Sequence, residues 1–327
     1  MRKLSTALLS LGLALGVGLG FITAPKNAVA WEPKKPVEFV IMAGKGGGAD
    51  KAVRFLQSII AKNKLSSKPF TPINKPGGSG AEALVHVKNA KDPDHTIMFT
   101  LNSFYTTPLL QPGLGIDIST FTPVGRMAED TFLLWVHKES GITSVDQFVK
   151  AAKAKGSGWI MAGTGKNSED NILTNFLNAA YGLKMKYVPY KGGGRVAKEL
   201  AGKNADSTVN NPSEQLGFYQ AGKTVALGAF TPTRLPLFPD APTFKELGKD
   251  FVYFMQRTVV GAPGMSADAK SYYQRLFALV YVSTEWQGYM KKKSLQGGFL
   301  TGDALMSYWM REKAAQKGIL QKMGAIK

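Results

Sequence analysis

VEFVIMAGKGGGADKAVRFLQSIIAK, residues Val37–Lys62, decides the fold. Val37–Ala43 is a near-continuous apolar run, the pattern of a strand buried on both faces. From Asp50 the period changes, and Val53, Leu56, Ile59 and Ile60 fall on one face of a helix reaching Lys62. Between them lies GKGGGAD, Gly44–Asp50, whose glycines leave backbone N–H groups bare at the positive end of that helix. Strand, glycine turn and amphipathic helix form the unit of a parallel α/β sheet, and ligands bind at the carboxyl ends of such strands. Gly46, Gly47 and Gly48 exceed what a tight turn needs, so the turn reads as an anion cradle, with Asp50 capping the helix.

The unit recurs. A strand near Thr71–Asn74 runs into Lys75–Ala81 (KPGGSGA) and a helix from Glu82, and Thr96–Leu101 is the next strand, ending at Asn102-Ser103. A second series follows Thr131–His137. Ser144 and Gln147 form a capping box for a helix to Lys155, and Trp159–Ala162 is a strand leading into Ala162–Ser168 (AGTGKNS). A helix over Glu169–Tyr181 buries Ile172, Leu173, Phe176 and Leu177 and ends at Gly182. Tyr187–Pro189 precedes Tyr190–Arg195 (YKGGGR). Asn211-Pro212-Ser213-Glu214 reads as another helix start, with Asn as cap and Glu closing a capping box. Strands at Thr224–Phe230 and Val252–Val260 are followed by helices over Ala267–Lys292 and Asp303–Lys317, in which Trp286 and Trp309 pack inward.

Residues 1–30 read as an export signal: Arg2 and Lys3, an apolar run from Leu4 to Ala24, and the small-residue site Ala28-Val29-Ala30 before Trp31. No later apolar run reaches the roughly 18 residues of a membrane span. Cysteine is absent, which excludes disulfides and thiolate chemistry. Loss of Arg2, Lys3 and Lys26 with no acid lowers the net charge from +18 to +15, a balance that favours anionic partners. The lysines are scattered, without the basic stripe and stacking aromatics of a nucleic-acid binder.

Other motifs are weaker. Gly78–Ala83 matches a dinucleotide fingerprint, but no carboxylate follows at Leu101-Asn102-Ser103. Gly165-Lys166 falls short of a P-loop, because Ile160 and Asn167 break its pattern. His86, His95 and His137 lack metal-ligand spacing. Lys191 and Arg195 are equally surface charges or ligand contacts. Arg257, inside an apolar strand, needs a partner: a ligand or a structural acid. No nucleophile, metal cluster or acid–base pair accompanies the turns, so a binder that needs no cofactor is favoured over an enzyme.

Gly46–Arg54, Ile73–Glu82, Gly163–Asp170, Val188–Glu214 (VPYKGGGRVAKELAGKNADSTVNNPSE) and Arg234–Gly248 (RLPLFPDAPTFKELG) together resemble the extracytoplasmic receptors of tripartite tricarboxylate transporters, the Bug family. The resemblance implies an α/β fold of the bilobal periplasmic-binding-protein kind (type II-like), with two mostly parallel sheets and a central cleft. The first lobe would hold residues 31–131 and 254–327, and the second residues 132–253. It also implies a monomeric periplasmic receptor that captures a small organic anion, di- or tricarboxylate-like, and delivers it to permease subunits. An exported enzyme or a sensor component acting on an anionic metabolite is the alternative. Carried over, the ligand contacts are Gly46, Gly47, Gly48, Ser79, Asn102 and Ser103 in the first lobe. In the second they are Gly163, Thr164, Gly165, Ser168, Tyr190 and Asn210, with Arg257 added from the sequence reading. Many members carry Asp at the position of Asn210, and its loss implies a fully anionic ligand, with Lys45 and Lys166 adding positive charge. Phe104 and Tyr105 are open to either a cavity wall or the core.

Overall fold

A computed structural model describes Trp31–Lys327, and the export signal expected over residues 1–30 lies outside the described residues. The order is β1 (Val37–Ile41), α1 (Gly48–Lys62), β2 (Phe70–Asn74), α2 (Ala81–Lys88), β3 (Thr96–Thr100), α3 (Ser103–Leu110) and β4 (Thr122–Asp130). It continues with β5 (Leu133–His137), α4 (Val145–Lys155), β6 (Ile160–Thr164), α5 (Glu169–Tyr181), β7 (Lys186–Tyr190), α6 (Gly193–Ala201) and β8 (Ser207–Asn210). Last come α7 (Pro212–Gln220), β9 (Thr224–Ala229), β10 (Met255–Gly261), α8 (Ala267–Val282), α9 (Thr284–Lys293) and α10 (Gly302–Lys322).

The strands form two five-stranded sheets, β2-β1-β3-β10-β4 and β7-β6-β8-β5-β9. Both follow one plan. Three parallel strands are joined by helical crossovers, and a strand arriving from the other half inserts antiparallel beside the third: β10 in the first sheet, β5 in the second. The sheets are therefore mixed, because the strands that cross between halves enter against the parallel run.

Period-two alternation in β1 explains its unbroken apolar reading. Phe39 and Ile41 face a core shared with Leu56 and Ile59 of α1 and Phe277 of α8. Val40 and Met42 face Leu84, Phe104 and Trp309 on the other side. In β5, Leu134 and Val136 join the core under α4 and α5, while Leu133 and Trp135 pack with Leu200 and Leu216. Helix α10 binds the halves together: Leu305 and Trp309 sit in a first-sheet core, and Leu320 sits in the main core of the second.

Four elements depart from the sequence pattern: α3, β4 and β8 were not expected, and one expected helix is divided. β4, TPVGRMAED, has no apolar run, yet it is largely buried. Its Arg126 is neutralised by Glu129 at 2.7 Å and lies over the Tyr308 ring. The helix expected over Ala267–Lys292 is two, α8 and α9, because Ser283 caps the second by accepting the Trp286 N–H at 3.2 Å.

Candidate ligand-binding cleft

The carboxyl ends of both sheets open onto a cavity of about 460 Å³. From the first sheet's side it is lined by Gly47 and Gly48 at the start of α1, by the Gly77–Gly80 turn with Ser79, and by Ser103 at the start of α3. From the second it is lined by Thr164, Gly165 and Ser168 before α5, Tyr190 at the end of β7, and Gly192 and Gly193 at the start of α6. Arg257 contributes from β10, and Met42, Leu101 and Met255 supply apolar surface. Most of the residues expected from the sequence thus converge.

Four do not line the cavity. Gly46 lies inside the turn, where its N–H donates to Asp50 Oδ2 at 2.9 Å; Asp50 spans the turn in place of capping its helix. Asn102 is fully engaged in fastening β3 to β10, donating to the Phe254 carbonyl at 2.8 Å and accepting the Gln256 N–H at 3.0 Å. Gly163 faces Tyr187, whose ring a Cβ there would overlap. Asn210 is buried under the glycine turn, donating to Glu214 Oε2 at 2.7 Å and accepting from Gln215 Nε2 at 3.2 Å. Phe104 and Tyr105 are core residues, the first against Trp309 and the second donating from its hydroxyl to Gln256 Oε1 at 2.7 Å.

The cavity also holds what the sequence reading missed: carboxylates. Glu214 turns away from the capping box expected at Asn211 and accepts the Gly48 N–H at 3.0 Å, across the cleft. Glu169 accepts the Ser103 N–H at 3.2 Å, again across the cleft. Asp170 accepts the Thr164 N–H at 2.7 Å. Glu169 and Asp170 are buried, and burial pushes both carboxyls above the usual carboxylate range; the Glu214 charge adds to the effect on Asp170. Acids in the first turn of a helix read as ordinary dipole complements, which hid them; their place beside a glycine turn was the available signal.

This corrects the charge reasoning drawn from Asn210. The negative charge absent there is present four residues on, in Glu214, hydrogen-bonded to that same amide. Lys45 and Lys166 are exposed, Lys191 lies at the rim, and Arg195 is paired with Glu199 on α6. Arg257 is 2% exposed and its guanidinium is held by Asp130, with Nε donating at 3.0 Å and Nη2 closing the pair. Nη2 also reaches Asn211 Oδ1 at 3.4 Å. Burial pushes the Asp130 carboxyl up to about 6 against the pull of Arg257. The pair ties β10 to β4 beneath the cleft, next to the two strands that cross between halves.

The glycines have a second use. The turns before α1 and α6 meet backbone to backbone, and a Cβ on Gly194 would lie 2.6 Å from the Gly46 carbonyl oxygen. On Gly193 it would overlap both Glu214 oxygens. Close approach of the two edges, as much as any ligand, requires these positions to be bare.

Two α/β halves joined by crossing strands around a cleft are the architecture of periplasmic binding proteins. The family model described as tripartite tricarboxylate transporter family receptor matches residues 54–269, and the chain belongs to that family. It is 21% identical over 315 residues to the "UPF0065 protein in gbd 5'region" of Cupriavidus necator, covering 96% of this chain and 95% of that one. The solved periplasmic binding protein BugD superposes with a TM-score of 0.83 at 21% identity, covering 90% of this chain and 99% of that one. Rpa4515 of R. palustris, solved with adipate, superposes at 0.81 and 22% identity, covering 89% and 98%.

Proposed function

We propose that this chain is a periplasmic receptor that captures a small organic carboxylate between its two halves and delivers it, unchanged, to the membrane permease of a tripartite transporter. The observation that carries the reading is the 460 Å³ cavity at the meeting of helix N-termini from both sheets, in a chain of this receptor family. Such ends supply oriented N–H donors to an acid group, and the hydroxyls of Ser79, Ser103 and Thr164 add to them. Rpa4515, which shares the fold, was solved with adipate, so an organic acid can occupy a cleft of this architecture. A charge-assisted hydrogen bond contributes roughly 1.5–3 kcal/mol. Three or four of them reach the roughly 8 kcal/mol of a micromolar site once ordering costs are met. Carboxyl side chains on the wall, Glu214 foremost, weigh against the di- or tricarboxylate expected from the sequence and favour a ligand of lower negative charge.

The lobes of this reading are residues 31–131 with 254–327, and 132–253. Thr131 and Phe132, between β4 and β5, and the entry to β10 are where they would rotate on closure. The chain acts as a monomer.

The test is a thermal-shift screen of organic acids on the chain beginning at Trp31, followed by recovery of the bound acid. A ligand held at a hundred times its Kd adds about 2.7 kcal/mol of stability, so carboxylates should raise the melting temperature saturably and come off intact. A flat screen, or an acid recovered chemically altered, would overturn the reading. In cells, deletion of the receptor should abolish uptake of the same acid.

A further inference from the structure

We propose that Glu214 fills the anion cradle of the cleft with the chain's own carboxylate, and thereby selects ligands that carry one acid group and a hydrogen-bond-donating opposite pole. The inference rests on the carboxylate-receptor reading above and adds the ligand's charge pattern.

The two triple-glycine turns are the chain's strongest anion-binding signal, and both close on this side chain. Gly48 donates its N–H to Glu214 Oε1 at 3.0 Å. A Cβ on Gly47 would sit 3.5 Å from that oxygen, and Gly193 has no room for one beneath the carboxylate. Asn210 Nδ2 holds Oε2 at 2.7 Å, so the carboxylate is oriented from both oxygens. The place that a ligand's acid would take at the junction of α1 and α6 is occupied.

The neighbouring donors are taken by acids of the chain as well. Asp170 occupies the Thr164 N–H at the end of β6, and Glu169 occupies the Ser103 N–H at the start of α3. Arg257, the buried cation of the cavity, is already matched by Asp130. A second acid group on the ligand would therefore face the Glu214 carboxylate in a partly dry cleft, where like charges repel most strongly. An ammonium or hydroxyl would meet Glu214 as an acceptor, since a carboxylate offers about four acceptor positions and the chain uses two. The ligand's single carboxylate is left the hydroxyl-bearing wall of Ser79, Ser103 and Thr164.

The experiment compares acids of equal length that differ at one end: succinate with 4-aminobutanoate, glutarate with 5-aminopentanoate, and adipate with 6-aminohexanoate. Affinities are measured by calorimetry on the folded chain and on Glu214→Gln and Glu214→Ala, each checked by circular dichroism. In the native chain the amino member of the best-fitting pair should bind at least tenfold tighter. Glu214→Gln should bring the pair within threefold, and Glu214→Ala, which bares the Gly48 N–H, should reverse the order. Should a variant fail to fold, the native preference alone decides. A native preference for the dicarboxylate, or a ratio unmoved in the folded variants, overturns the role of Glu214 while leaving a carboxylate receptor. Binding of no member of any pair counts against both.

Discussion

The two sheets share one strand plan, yet their cleft edges carry opposite chemistry. The first sheet's edge presents main-chain donors, the N–H groups of Gly48 and Ser103 at the starts of α1 and α3. The second sheet's edge presents the acceptors, Glu214 and Glu169. Each half thus satisfies the other across the gap. The difference teaches that bare amides at a glycine turn mark where an acid group sits without saying whose it is. A chain can supply its own acid, and the ligand must then be complementary to what remains.

The comparison breaks most severely at the floor, where β10 and β4 of the first sheet share a buried ion pair. Asp130→Ala would leave the Arg257 guanidinium buried without its partner, and loss of one member of such a pair costs about 3–5 kcal/mol. Urea unfolding should show that loss; a cost below 1 kcal/mol would mean that water or Asn211 takes over the charge.

A smaller perturbation keeps the chemistry of both edges but holds them apart. In Gly194→Ala the new methyl meets the Gly46 carbonyl oxygen, a backbone atom that cannot swing away. Overpacking of this kind costs roughly 1–3 kcal/mol, which corresponds to about five- to 140-fold in affinity. Calorimetry should register the weaker binding, and small-angle scattering should show a more open particle. Gly217→Ala, whose Cβ meets nothing, is the control and should bind as the native chain does.

The smallest effect sharpens the asymmetry by titrating one edge. Burial raises the carboxyl pKa of Glu169, Asp170 and Asp130 above unfolded values, so the folded state binds more protons than the unfolded one as pH falls into that window. Their contribution to stability therefore increases on acidification from pH 7.5, for Asp130 through about 6 towards 3.8. Asp92, held at about 2 chiefly by Lys35, works the other way: its stabilisation is present above 3.8 and is lost as pH falls towards 2. Melting temperature should thus peak in mild acid, and Asp170→Asn should flatten the rise between pH 7.5 and 5. A melting temperature that falls steadily from pH 7.5 downward would contradict the buried-carboxyl assignment.

Much of this was legible in the chain. The alternation of Phe39 and Ile41 with Val40 and Met42 required a sheet covered on both sides, and the α1 face was set by Val53, Leu56, Ile59 and Ile60. The turns that line the cavity were marked by glycine at strand ends. β4 was not legible, because its burial depends on β10, more than a hundred residues later, and on the Arg126–Glu129 pair. Glu214 was legible as an acid but misplaced: local sequence offers it the Asn211 N–H, and only the arrival of α1 offers it Gly48.

By itself, then, the sequence determined the alternation of strand, turn and helix, the apolar faces that must be covered, and the turns free of side chains. Periodicity and backbone freedom are local properties, carried by neighbouring residues. Tertiary structure alone decided which donors face which acceptors, that Arg257 answers to Asp130, and that the glycine turns touch one another. Those are distances between segments far apart in the chain, and charge and hydrogen bonding act through distance, which no local pattern encodes.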